Sequence, residues 1–101
     1  MTAAVVAGDS MAPGLLAGDW VVIRRTRRVR PGQVVAFTDP RDPRRVMVKR
    51  IQRATGSGWY VLGDNPPRST DSRDFGSVPP TAVLGRVLFR YHRRGGPTRR
   101  A

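Results

Sequence analysis

Short runs of β-branched and aromatic residues, each closed by a glycine or proline turn, leave this chain almost no room for a helix. Asp19–Arg24 (DWVVIR) follows a Gly-Asp turn and has the composition of a strand. Pro31-Gly32 is a turn, and Gln33–Thr38 (QVVAFT) is a second strand. Asp39–Pro43 (DPRDP) reads as a loop, since each proline restricts the residue before it. Arg45–Arg53, Trp59–Leu62 and Val83–Tyr91 supply three more strands, the first two separated by Gly56-Ser57-Gly58. Only Ser10–Leu16 could open a helix, and Pro13 and Gly14 would keep it short. The fold class is therefore all-β, a small sheet or barrel-like domain. With 101 residues there is room for one domain, expected over residues 1–92, followed by a basic disordered tail over 93–101.

Composition removes several chemistries. With no cysteine there is no disulfide, thiolate zinc site or thiol nucleophile. One histidine, His92, excludes a multi-histidine metal site. No apolar run approaches the roughly 20 residues needed to span a bilayer, and Met1–Gly8 lacks the basic start and long apolar stretch of a signal peptide. A cytoplasmic location, with peripheral membrane contact admitted by the basic charge, is the expectation. The formal net charge is +12, and eighteen of the nineteen cationic side chains are arginine. Such charge suits solubility or contact with anions. It also admits a non-enzymatic alternative, an anion-binding module using the runs Arg24–Arg30 and Arg93–Arg100. No RNA-binding aromatic motif, zinc finger or phosphate loop is present, so no specific nucleic-acid partner is expected.

The single lysine is the exception. On a strand of period two, Met47, Lys49 and Ile51 share one face, and Val46, Val48 and Arg50 share the other. A lysine among apolar neighbours has a lowered pKa and can serve as a general base. A snorkelling lysine at the strand edge, its amine in water, satisfies the same pattern. Ser10 follows Gly8-Asp9, where glycine permits a close backbone approach. It is a candidate nucleophile for a Ser–Lys pair or, equally, a helix N-cap. The long polar stretch Gly63–Pro80 carries three of the seven acids and is the third place to look for chemistry.

These segments together resemble a known family. Gly8-Asp9-Ser10-Met11-Ala12-Pro13 is similar to the nucleophile box of type I signal peptidases. Val48-Lys49-Arg50 resembles their general-base box. Gly63-Asp64-Asn65 and Ser69-Thr70-Asp71-Ser72-Arg73-Asp74-Phe75-Gly76 resemble the third box, GDN…SxDSRxxG. The resemblance runs from about Val5 to Tyr91. It implies a small catalytic β fold like that of signal peptidases and SOS repressors, with a long catalytic loop. It implies Ser10 as nucleophile, Lys49 as base and Ser69 as the partner orienting the lysine amine. Asp64, Asp71 and Arg73 would form an ion-pair network behind them, and the Ser10 N–H would be one oxyanion donor. It implies no cofactor and no metal.

The departures are specific. Gly8 stands where some signal peptidases have a hydroxyl residue that supplies a second oxyanion donor, so a backbone N–H or a water must serve. Met47 replaces an aromatic, and Pro66 a basic residue. Only 13 residues separate Lys49 from Gly63, which leaves no space for the family's large inserted domain, and its N-terminal anchor is not expected either. This minimal form, with GDNP and DSRDFG, most resembles the nickel-type superoxide dismutase maturation proteases. That implies a precursor with an N-terminal propeptide or leader as partner. A general signal peptidase and an SOS-repressor-type autoprotease are the alternatives; the latter shares the GDSM start and base strand but not the third box. By position, Met11 and Gln33–Phe37 are candidates to line substrate pockets.

Overall fold

The computed structural model describes residues 1–8 and 10–91, apart from the side chains of Phe89 and Tyr91. His92 and the expected tail, 93–101, lie outside the described residues. Six strands form one antiparallel sheet: β1 (Thr2–Val5), β2 (Trp20–Arg25), β3 (Val34–Asp39), β4 (Asp42–Thr55), β5 (Gly58–Leu62) and β6 (Val83–Tyr91). Their spatial order is β1-β2-β6-β3-β4-β5. The all-β class is as the turn pattern requires.

Three local readings change. Thr2–Val5, not expected as a strand, is an edge strand paired with β2. The expected Asp39–Pro43 loop shrinks to a tight hairpin, because Asp39 pairs with Asp42. The prolines are accommodated there because the pairing breaks: Thr38 pairs with Val46, so Pro43, Arg44 and Arg45 bulge out between the two pairs. Helix does not form at Ser10–Leu16, which is a series of turns. It forms instead inside the polar stretch, as a 3₁₀ turn at Pro66–Arg68 and the single-turn helix α1 at Ser72–Phe75, with another 3₁₀ turn at Pro80–Ala82. Asp71 caps α1 by accepting from the Arg73 N–H, and Asp74 accepts from the Asp71 N–H in return. Asp71 and Asp74 lie in the box as sequence, but neither advertises a helix of four residues.

The sheet carries apolar clusters on both faces. One contains Val35, Phe37, Met47, Ile51, Val61 and Val78. The other contains Met11, Leu15, Val21, Ile23 and Ala36, with Val34, Val48 and Val87 against it. Each large buried side chain contributes about 1.5–3 kcal/mol. Strand β4 joins the halves: it pairs with β3 as far as Arg50, and with β5 from Arg50 onward. The segment from Lys49 to Gly63 is thus a plain β4–β5 hairpin, with no inserted domain.

The polar stretch covers the outer edge of β5. Alternate amides of one strand edge point the same way, and here they are those of Trp59, Val61 and Gly63. Val78 O accepts from Trp59 N at 2.9 Å. Ser72 Oγ accepts from Val61 N at 2.8 Å, and Asp71 Oδ2 accepts from Gly63 N at 2.9 Å. A polar loop thereby satisfies a buried strand edge. Ser72→Ala would leave the Val61 N–H without an acceptor in a dry site. It is expected to destabilise the fold by about 1–3 kcal/mol, measured as a lower urea midpoint with an unchanged slope.

Candidate active site

Lys49 is placed by strand register. It lies opposite Val35 on β3, between Met47 and Ile51, and is only 4% exposed. That excludes the snorkelling alternative. Burial lowers its pKa, with the positive charge of Arg45 acting in the same sense and the Asp71 carboxylate opposing both. Lys49 Nζ donates to Ser10 Oγ at 2.6 Å. When the amine is neutral, the same contact lets the hydroxyl donate to the nitrogen lone pair. This is the only side-chain hydrogen bond of Ser10 among the described residues, so Ser10 is not an N-cap.

Ser10 is held from both sides by backbone. Its carbonyl accepts from the Asn65 N–H at 2.8 Å, and Met11 O accepts from the Leu15 N–H. Met11 Sδ accepts from the Asp64 N–H at 3.4 Å. Gly63 is where the chains converge. A Cβ there would collide with the Ser69 hydroxyl and stand 2.7 Å from the Ser10 carbonyl oxygen. The far end of the turn is anchored by Asp19, which is fully buried and accepts from the Leu16 N–H and from Arg90. Gly8 has φ +78°, a region L side chains rarely adopt. That conformation accounts for a glycine at this position. Among the described residues, the Ser10 N–H has no acceptor.

The third box divides differently from the expectation. Ser69 does not orient the lysine amine: its hydroxyl donates to Asp71 Oδ2 at 2.7 Å. Asp71, 0% exposed, also receives the Gly63 N–H, the Arg73 N–H and the Arg73 guanidinium at 2.9 and 3.0 Å. Burial pushes its carboxyl up, but the Arg73 guanidinium and the Gly63 and Ser69 donors outweigh it and hold the group far below the usual carboxylate range. Asp64 stands outside this network. It pairs with Arg50 at 2.9 Å, and Arg50 also donates to Gly32 O at 2.8 Å. The reason is geometric: Arg50 faces away from Lys49 on β4, toward the Gly63–Asn65 turn. Sequence reasoning gave no role to Arg50, Asp19 or Ser72. For Arg50 the signal was present, since it adjoins Lys49 in the base box on the opposite face.

A groove of about 490 Å³ lies beside this centre. Met11, Leu15 and Val34 line it together with Arg50, Arg86 and Arg90. Ser10 and Lys49 are not among its lining residues. Gln33 and Val34 of the expected pocket strand do line it, while Val35, Ala36 and Phe37 are buried in the two cores.

A family model described as Peptidase S24-like matches residues 1–88. The chain belongs to the S24-like peptidase family. Among curated proteins, this S24-like peptidase is 35% identical to the mitochondrial ATP-independent inner membrane protease subunit 1a of Arabidopsis thaliana, over 84% of its own length and 67% of that protein's. It is 29% identical to the mitochondrial inner membrane protease subunit 1 of Mus musculus, over 82% of its own length and 64% of the relative's. The chain thus spans about two-thirds of these relatives. They place the S24-like peptidase with the signal-peptidase type of serine peptidase. No helix among the described residues is long and apolar enough to cross a membrane, and no cluster of metal-ligating side chains occurs among them.

The pH dependence of stability follows from Asp71. Its folded pKa lies below the unfolded value of about 3.9. The stabilisation it gives is therefore complete above about pH 5 and is lost as pH falls through 4 and below. Urea midpoints measured from pH 7 down to 3 are expected to fall steeply in the wild type. In Asp71→Asn they start lower and fall less.

Proposed function

We propose that this S24-like peptidase is a Ser–Lys endopeptidase that removes an N-terminal leader or propeptide from a precursor protein. The contact that carries the reading is the 2.6 Å approach of Lys49 Nζ to Ser10 Oγ with the amine buried. Neutral Lys49 takes the Ser10 hydroxyl proton as Oγ attacks the scissile carbonyl. The oxyanion that forms lies within reach of the unengaged Ser10 N–H, with the Gly8 turn beside it. As the tetrahedral intermediate collapses, the Lys49 ammonium gives its proton to the leaving amine. Water then attacks the acyl-serine ester, losing its proton to Lys49; as this second intermediate collapses, the Lys49 ammonium returns that proton to the departing Ser10 Oγ, which frees the carboxylic acid product and restores both residues. Ser69, Asp71 and Arg73 fix the Gly63 turn against Ser10, Asp64 does so through Arg50, and the Asp71 charge also bears on the Lys49 amine.

Strand pairing supports an extended substrate. From Asp42 to Lys49, β4 pairs only with β3, and β5 begins to cover it at Arg50. The outer edge of β4 is therefore open as far as the base, and β1 has an open outer edge leading to Gly8. A peptide laid along such an edge gains main-chain hydrogen bonds without regard to sequence. The finer choice of a nickel-type superoxide dismutase precursor rests on the GDNP and DSRDFG segments alone. The names of the relatives favour precursors processed at a membrane, and a cytoplasmic enzyme with peripheral membrane contact serves either substrate.

Ser10→Ala, Lys49→Ala and Lys49→Arg are each expected to reduce cleavage of a leader-bearing precursor at least 10³-fold, with circular dichroism spectra like the wild type. Normal cleavage by Lys49→Arg would refute the base assignment, because arginine does not give up its proton. The wild-type kcat/KM should rise with pH as Lys49 loses its proton and level off below the pH of an ordinary lysine. A profile flat from pH 6 to 10 would count against Lys49. Digesting a nickel superoxide dismutase precursor and an ordinary secreted precursor side by side assigns the substrate.

A further inference from the structure

Arg45 is an arginine whose charge has a use that folding does not explain. Arg41 and Arg44, its neighbours on the same hairpin, are paired with Asp39 and Asp42 at 3.1 and 3.0 Å. Arg50 and Arg73 hold Asp64 and Asp71. Arg45 makes no ion pair and no side-chain hydrogen bond among the described residues, although its charge is felt by Asp39 and Asp42, and it is exposed. It sits at the end of the Pro43–Arg45 bulge, on the half of β4 whose outer edge is open. Bulges beside active sites commonly re-aim one side chain. The side chain next along, Val46, is 57% exposed, and from Met47 onward the face that Arg45 shares with Lys49 and Ile51 is buried.

Lys49 lies four positions beyond Arg45, about 13 Å of extended strand. A peptide paired along the same edge advances at the same rise. The residue it brings opposite Arg45 therefore lies about four positions from the bond presented to Ser10. The guanidinium reaches one or two positions to either side. An acidic side chain there would find a cation not engaged in a direct ion pair. A basic one would meet a like charge.

We propose that Arg45 is a specificity residue, which selects substrates carrying Asp or Glu three to five residues from the scissile bond. This rests on the Ser–Lys peptidase reading above. Arg45 would touch the substrate but take no part in bond breaking. Its charge also acts on Lys49, so removing it shifts activity toward every substrate together. The ratio of acidic to basic peptides cleaved by one enzyme cancels that common effect, and it is the quantity to measure.

The test digests a proteome-derived peptide library with the full chain and reads the cut sites by mass spectrometry, with Ser10→Ala as the blank. Cleavage is expected to enrich Asp and Glu in the window three to five residues from the cut. Synthetic peptides that differ only by Glu or Lys in that window should differ about five- to tenfold in kcat/KM. That is the span of one favourable partly exposed ion pair of about 1 kcal/mol. Arg45→Gln should bring the ratio near one, and Arg45→Glu should invert it. Arg25→Gln, an exposed arginine on β2, should leave it unchanged, and 1 M salt should shrink it in the wild type. Ser10-dependent cuts with no acidic preference, or a preference that survives Arg45→Glu, would overturn the Arg45 assignment and leave the peptidase reading intact. Absence of any Ser10-dependent cut would overturn both.

Discussion

The buried carboxylate of Asp71 is the contact on which the rest of the site depends. It gathers the Gly63 N–H, the Ser69 hydroxyl, the Arg73 N–H and the Arg73 guanidinium around two oxygens. Removing a carboxylate from water is costly, and several charge-assisted hydrogen bonds are needed to offset it. The same group caps α1 and closes the last amide of the β5 edge. One residue thus fixes where the polar stretch begins and where it turns back. Gly63, held by that bond, is the surface on which the Ser10 backbone rests.

Arg73 has a second consequence. A bare carboxylate near Lys49 would stabilise its ammonium and oppose the base role proposed for it. The Asp71 charge does oppose the lowering of the lysine pKa, yet burial prevails. Pairing Asp71 with Arg73 at 2.9 Å spends most of the carboxylate's field locally. The loop can therefore be built around an acid without delivering a strong counter-charge to the amine. Asp64, the other acid of the box, is likewise neutralised by Arg50 on the far side of β4. Acids that position the site are kept from titrating the base.

The sequence carried some of this and not the rest, for identifiable reasons. Strands β2 to β6 were legible because β-branched runs and Gly/Pro turns are local signals. Lys49 among buried neighbours was legible because period two is a property of any strand. The approach of Ser10 to Lys49 was legible only through the three boxes read together, since nothing local joins residues 39 apart. What stayed hidden was non-local pairing. The partner of Asp64 depends on Arg50 facing the Gly63–Asn65 turn. The partner of Ser69 depends on Asp71 being nearer than the amine. Strand β1 was hidden because an edge of four residues needs β2 beside it to exist. The DPRDP segment, sound as a turn signal, became strand because a bulge can absorb residues that a ladder cannot.

The distribution of cations makes the final link. Arginine is planar, multidentate and permanently charged, which suits it to holding carboxylates. That is what Arg41, Arg44, Arg50, Arg73 and Arg90 do, with Asp39, Asp42, Asp64, Asp71 and Asp19. None of those positions needs a proton to leave. At position 49 the proposed mechanism reverses the requirement: the side chain must enter an apolar strand face, reach Ser10 and be able to exist uncharged there. A guanidinium satisfies the reach and fails the last condition. The one lysine among eighteen arginines therefore stands where the proposed mechanism asks for a removable proton rather than a fixed charge.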